Sequence, residues 1–496
     1  MIEASPNLFN LGLDDHDPAN SKAALEDATS AQGVHIIMTA TQSNVNLCKT
    51  LLTLTILGYP TPHLVAWGDD YSTGNLLAGG SHFAKITGTL DYINAGKRRE
   101  QPAFEDDDII FMLDAYDIWF QLPFQVLVSR YHEILAQENM RLAQRMGRAY
   151  EREGLAASVI FGGGKRYFPN FINSLACYPI PESPIPKSIR NGNTDSALGR
   201  NEWSSFRTRY LNSGYLIGPV GRVSRILEEA RQRLDMCKDQ HGADFDDGSG
   251  ASDECYHGSD QSIFVDMFGV QEFHREVMRR HHSMPYDEVL GKVDKSRPRL
   301  TPPPTQIMGT EIVDLLNPAW PHQHANADYM PGKPFEMGIV IDYWSLLGHQ
   351  TSNADDDRRH IRYNTDVTEQ IGVQGQFDCI PQARFPHDLY SHAQNSSVAW
   401  NQVPLYMAIC TDNVPVMIHH NSIEKWNREE QWDKTWWNGS ARAMMEEQRR
   451  LASPILVDGI ATDKGFRVSW DELCPVDFEP ELYRDIAEKR FVRSSF

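Results

Sequence analysis

Two kinds of hydrophobic pattern alternate along this chain. Short continuous apolar runs, bounded by polar or glycine residues, read as buried strands; stretches with apolar residues three and four apart read as helices. Residues 1–32 show neither pattern and form a polar leader rich in Asp, Asn, Ser and Ala. A first strand starts at Val34, runs to Met38 and ends in Thr39-Ala40-Thr41. Leu47, Leu51, Leu54 and Leu57 predict a helix over about Asn44–Leu57, which Gly58 and Pro60 stop. His63–Gly68 reads as a second strand, Phe83–Asn94 as a helix and Ile109–Leu113 as a third strand. That alternation is the start of a parallel α/β sheet.

Further along, residues 123–153 predict one long helix. Val159-Ile160-Phe161 is a strand running into Gly162-Gly163-Gly164. This glycine run lacks a following Lys-Ser/Thr pair and reads as a tight chain reversal, not a phosphate loop. Residues 210–218 form a strand with a polar centre, 222–236 an amphipathic helix and 238–258 an acidic, glycine-rich loop. Asp260 opens a helix to about Phe268. Residues 337–343 are the clear strand within a Pro-, His- and Asn-rich region, 414–421 a later one, and 422–450 a Trp-rich helical stretch. There Trp426, Trp432, Trp436 and Trp437 sit at core-like spacing, with a sugar platform as the alternative. The organisation expected is a leader (1–32), an α/β core (33–290), an insertion (291–400), the end of the core (401–450) and a tail (451–496).

Composition narrows the partners. With 47 basic against 67 acidic residues the net charge is −20, which argues against nucleic acid or an anionic membrane as the main partner. No apolar run is long enough to span a membrane, and residues 1–32 lack a signal-peptide layout. The expected location is a secretory lumen if an anchor is missing from this sequence, and the cytoplasm otherwise. Seven cysteines without a CxxC argue against structural zinc. Cys237 and Cys255 flank the acidic loop and are candidates to pair. Asn395-Ser396-Ser397 and Asn438-Gly439-Ser440 are glycosylation sequons.

The chemistry concentrates in Phe111-Met112-Leu113-Asp114-Ala115-Tyr116-Asp117-Ile118-Trp119-Phe120. Asp114 and Asp117 follow a buried strand, where carboxylates are costly unless something positive holds them. Mg²⁺ or Mn²⁺ shared with a diphosphate is one answer; a helix cap and a surface aspartate are the plain alternative. Strand ends are also where open α/β sheets bind ligands.

Several segments together resemble the glycosyltransferase domain of the lysyl hydroxylase/collagen glucosyltransferase family, and more distantly the procollagen galactosyltransferases. They are Thr39-Ala40-Thr41, Val65-Ala66-Trp67-Gly68-Asp69-Asp70, Gly79-Gly80 with Lys85, Asp114-Ala115-Tyr116-Asp117, Leu211-Asn212-Ser213-Gly214, Ser259-Asp260-Gln261 and Ile418-His419-His420-Asn421. Two depart from the family pattern: Ser259 replaces an aspartate and His420 a glycine.

The resemblance implies a GT-A fold, that is a Rossmann-like mixed sheet flanked by helices, with a UDP-sugar donor and Mn²⁺. It implies Asp114, Asp117 and His419 as metal ligands, with His420 the rival of His419. Tyr116 would stack on uracil or pack in the core. Thr39 and Thr41 would read the nucleoside or cap a helix, and Lys85 would hold a phosphate or be a solvated helix lysine. Asp260 would be the base of an inverting reaction, or orient the sugar in a retaining one, which is slightly favoured; a helix cap is its plain role. Gln261, Asn212 and Ser213 would contact donor or acceptor. The reaction expected is transfer of glucose or galactose to a hydroxyl acceptor on a glycan, protein or small molecule, with 291–400 on the acceptor side. The rivals are a metal-dependent phosphohydrolase and a relative that only binds nucleotide sugar or glycan. His281-His282 and His322/His324 lack carboxylates at ligand spacing.

Overall fold

The computed structural model describes residues 33–71, 81–98, 104–170, 174–177, 179–186, 189, 206–241, 256–283, 306–307, 310–311, 329–354, 357–371, 384–393, 398–422 and 425–485. Its frame is an eight-stranded mixed sheet. Three parallel strands lie inside it: β1 (Val34–Thr39), β2 (His63–Val65) and β3 (Ile109–Asp114). Thr39 pairs with Asp114, so β1 and β3 end at one edge. β6 (Tyr210–Pro219) runs antiparallel to β3, and β5 (Val159–Gly164) antiparallel to β6. β9 (Ile339–Ile341) closes that side parallel to β5. On the other side β14 (Ile460–Thr462) lies parallel to β2, and β15 (Arg467–Val468) turns back on it.

A second, three-stranded sheet joins β4 (Ile118–Phe120), β13 (Met417–His419) and β10 (Gly348–Gln350). Two short pairs complete the strands: β7 (Gln306–Ile307) with β8 (Thr310–Glu311), and β11 (Arg358–Ile361) with β12 (Leu405–Ala408). Apolar residues cover both faces of the main sheet. Ile36, Met38, Phe111 and Leu113 pack with Leu47 and Leu51 of α1 (Val45–Ile56), while Ile37, Ile110 and Met112 pack with Ile86 and Leu90 of α2 (Ser81–Lys97). Burial on both faces is why the central strands read as unbroken apolar runs. The result is a mixed α/β fold compatible with a Rossmann-like arrangement.

Several elements differ from the sequence reading. The expected helix over 123–153 is two, α3 (Phe124–Met146) and α4 (Arg148–Glu153), parted at Gly147 with φ 54°. Gly162–Gly164 is no reversal; β5 continues through it. A Cβ on Gly163 would lie 2.5 Å from the Asp342 carbonyl oxygen and 2.5 Å from Thr208 Cγ2, so the glycine serves close packing. After α5 (Val220–His241), α6 (Asp260–His281) runs well past Phe268. Its charged second half is neutralised inside the fold: Glu272 pairs with Arg145 and Arg275, and Arg275 also with Glu336. The second strand stops at Val65 because Ala66 adopts φ 63°. The Asp463 carboxylate accepts the Ala66 and Trp67 N–H groups there, at 3.0 and 3.3 Å.

The tail packs tightly on α1. A disulfide joins buried Cys48 to Cys474, with Cα atoms 5.6 Å apart. Lys49, fully buried, pairs with Glu481 at 2.6 Å. Cys237 and Cys410 are also disulfide-bonded; Cys255 lies outside the described residues, and Cys177 is a buried free thiol. Opening the long Cys48–Cys474 loop removes its constraint on the unfolded chain, so Cys474→Ser is expected to cost about 2–5 kcal/mol in urea unfolding.

His63 supplies an acid-stability prediction. Burial, helped by nearby His35 and Arg467, lowers its pKa to about 4, whereas the unfolded chain protonates near 6.5. Falling pH therefore adds a proton to the unfolded state first. Stability is full above about pH 6.5 and is lost between there and pH 4, by roughly 2–3 kcal/mol. Denaturant midpoints of the parent and His63→Gln across that window test this; parallel pH profiles would refute it.

Candidate metal and ligand site

The sheet architecture brings three candidate ligand side chains together. β3 ends at Asp114, the chain turns through Ala115-Tyr116-Asp117, and it leaves as β4 in the second sheet. β13 pairs antiparallel with β4 so that His419 lies opposite Ile118, one residue after Asp117. The His420 N–H also donates to the Asp117 carbonyl at 2.7 Å. His419 Nε2 stands 3.6 Å from Asp114 Oδ2 and 3.6 Å from Asp117 Oδ1. One ligand atom from each of the three residues lies within 4.8 Å of the other two, and among the described residues no other His, Cys, Asp and Glu group meets that criterion. Asp117 Oδ1 and His419 Nδ1 are buried without a hydrogen-bond partner. Two carboxylate oxygens and one imidazole nitrogen form a group that could hold a divalent cation.

The two carboxylates stand in different fields. Burial raises the Asp114 pKa; Lys85 opposes this and Asp117 reinforces it. Burial also works against ionised Asp117, but His419, Arg428 and His420 outweigh it and bring the carboxyl down to about 2. Asp117 is therefore the permanent anion of the pair. Lys85 is neither a solvated helix lysine nor an open phosphate clamp. Its ammonium is buried, 2.6 Å from Asp114 Oδ1, 3.1 Å from Asp260 Oδ2 and 2.6 Å from the Ser213 carbonyl oxygen it donates to. Burial works to lower its pKa, and the two carboxylates more than reverse this, so it stays charged.

Lys85 thus links the acidic turn to the residues expected on the sugar side. Asp260, buried at the first turn of α6, also faces His82 Nδ1 at 3.6 Å. Gln261 accepts from Asn212 Nδ2 at 2.7 Å and from the Ser213 N–H at 3.4 Å, and donates to the Phe168 carbonyl at 2.6 Å. Asn212 in turn accepts the Gly214 N–H at 2.9 Å. Asp260, Gln261, Asn212 and Ser213 therefore form one bonded unit around Lys85. Ser259 holds the cap position of α6 without a capping side-chain bond.

Tyr116 points its hydroxyl at the end of β1, accepting from the Thr41 and Gln42 N–H groups at 3.0 and 3.2 Å and donating to the Gln42 carbonyl. Neither threonine caps α1; Asn44 does, accepting from Asn46 and Leu47. Thr39 Oγ1 is buried with no partner beside Asp114 in register. His420, one residue past β13, lies against Trp119 with ring centroids 3.8 Å apart and planes tilted by 43°, and is not in the ligand cluster. Trp432 and Trp437 are buried and Trp436 partly so, which makes them core. His281 stacks on Tyr329 and His282 meets Glu153. Gly79-Gly80, His322/His324 and the Trp426 side chain lie outside the described residues.

Sequence reasoning missed two contributors, Arg428 and Gln350, and the packing role of a third, Gly214. Arg428 donates to the Tyr116 and His420 carbonyls, both at 3.1 Å, and fastens the acidic turn to β13. Gln350, opposite His419 on β10, accepts from Asn421 at 3.1 Å. Gly214 leaves the space that the His419 ring fills. Only Gly214 carried a signal, a glycine in mid-strand. No protein-family model matches this chain, and no curated protein matches it significantly.

Proposed function

We propose that this chain is a GT-A-type glycosyltransferase, moving a hexose from a UDP-sugar to a hydroxyl acceptor with Mn²⁺. The observation that carries the reading is the convergence of Asp114, Asp117 and His419 at the carboxyl end of β3, beside the Lys85–Asp260 pair. Asp114, Asp117 and His419 would hold the Mn²⁺ ion, which when bound supplies positive charge to the diphosphate oxygens of a departing UDP. Lys85 favours the ionised form of Asp114 against the burial that raises its pKa, and adds a second positive charge beside it. Asp260 and Gln261 present a carboxylate and an amide on the same side as Asn212, a set suited to orienting sugar hydroxyls. Asp260 is already paired with Lys85, which favours orientation over proton abstraction. Thr39, Thr41 and Tyr116 lie at the β1 end of the cluster and suit the nucleoside.

A phosphohydrolase would ordinarily use a second metal, and among the described residues there is one ligand group. A binding-only relative would share every one of these contacts and differ in turnover. The test is nucleotide release from a panel of nucleotide sugars with Mn²⁺. UDP release from one of them is expected, abolished by EDTA and lowered at least ~10²-fold by Asp117→Ala. UDP binding without release, with and without candidate acceptors, would leave a binding protein. Absence of Mn²⁺-dependent UDP binding would end the proposal.

A further inference from the structure

Two features remote from the candidate site call for the same surroundings. The first is the disulfide chemistry. Among the described cysteines Cys48, Cys474, Cys237 and Cys410 are disulfide-bonded and Cys177 is free. The Cys48–Cys474 bridge is buried and lies where the tail is fastened, through Lys49–Glu481 and the Trp432 Nε1 bond to the Leu482 carbonyl. Such bridges persist in oxidising compartments and are rare where glutathione keeps thiols reduced.

The second feature is the sequon Asn438-Gly439-Ser440. It occupies the exposed turn between the helices Lys425–Asp433 and Ala441–Arg450. Gly439 adopts φ 80°, which keeps the turn tight and sets Asn438 at its tip. Asn438, Gly439 and Ser440 are all exposed, while Trp437 just before them is buried and anchors the turn. Asn438 Nδ2 makes one bond, to the Asp433 carbonyl at 2.6 Å. A glycosylated asparagine keeps one N–H, so Nδ2 is still a donor after modification. A glycan here displaces no packed side chain.

We propose that Asn438 carries an N-linked glycan, attached in the oxidising lumen in which the disulfides form. In the attachment step Asn438 Nδ2 bonds to the anomeric carbon of a lipid-diphosphate-linked oligosaccharide. The bond from that carbon to the diphosphate oxygen breaks, the lipid diphosphate departs, and the amide gives up one proton. The proposal is independent of the transferase reading, since neither feature touches the ligand cluster.

The test uses the full chain recovered from its native cells. Free thiols are alkylated before reduction, and glycans are then removed enzymatically in ¹⁸O water, which converts a glycosylated asparagine to labelled aspartate. The expected result is label at Asn438 and no alkylation at Cys48 or Cys474. Unmodified Asn438 throughout the population, or Cys48 alkylated without reduction, would overturn the proposal. Asn438→Gln should remove the glycosidase-sensitive mass at this position and leave UDP release unchanged. Persistence of that mass in the variant would also overturn it.

Discussion

Lys85→Met is expected to destabilise the fold by about 3–5 kcal/mol, because it leaves a buried carboxylate without its counter-charge. Asp260 carries most of this effect, since its side chain is 7 % exposed against 35 % for Asp114. Among the described residues Asp260 then keeps one cationic neighbour, His82, 3.6 Å away and itself 40 % exposed. The cost is that of an orphaned charge, not of a lost attraction, and this distinction is measurable. Lys85→Met/Asp260→Asn should recover much of the stability, since a neutral amide needs no cation. Turnover should not recover with it. Removing Lys85 takes a fixed positive charge from beside Asp114, and a loss of at least ~10²-fold in UDP release is expected in both variants. Urea unfolding of the two variants and the parent supplies the first comparison, and nucleotide release the second. A single variant as stable as the parent would mean that Lys85 and Asp260 are not a true pair. A double variant that regains activity would remove Lys85 from the donor side of the proposal.

How much of this was visible in the sequence depends on what each residue's neighbours are. The β1–α1–β2–α2–β3 run was legible because its apolar period is set locally, and the few charged residues inside its helices, such as Lys49 and Lys85, do not break that period. Asp114 and Asp117 were legible for the same reason: charge directly after a buried strand is a local anomaly. The role of Lys85 was not, since its two partners lie on β3 and α6, and only the closed sheet brings them to one ammonium. The extent of α6 was hidden because Glu272, Arg275 and Glu336 read as solvent-facing until they are seen to satisfy one another. The end of β2 was hidden because Asp463, which fixes Ala66 and Trp67, comes from the tail. Gly162–Gly164 misled because consecutive glycines mark turns more often than a crowded strand. His419 was separable from His420 in space, though not in sequence: one-residue alternation at the end of β13 sends one ring to the carboxylates and the other to Trp119.

That alternation makes Gly214→Ala the most informative small change in the molecule. A Cβ built on Gly214 would stand 2.0 Å from His419 Cε1, 2.5 Å from Nδ1 and 2.8 Å from Nε2. No rotation of a methyl group relieves three contacts with one ring. The ring has little room to retreat, because His419 is buried and its strand is fixed by Gln350 on one side and Ile118 on the other. Either the imidazole turns away from Asp114 and Asp117 or β6 shifts in the middle of the main sheet. Both routes degrade the ligand set, so Mn²⁺ affinity is expected to fall by about 10–100-fold, with an overpacking cost of about 1–3 kcal/mol. Electron paramagnetic resonance titration of free Mn²⁺ reads the affinity directly. The mechanism predicts a specific non-additivity: in a His419→Ala background, Gly214→Ala has no ring to strike and should cost neither further affinity nor stability. Equal Mn²⁺ affinity in Gly214→Ala and the parent would refute His419 as a ligand. Equal stability losses in the two backgrounds would place the damage in β6 itself rather than in the imidazole it adjoins.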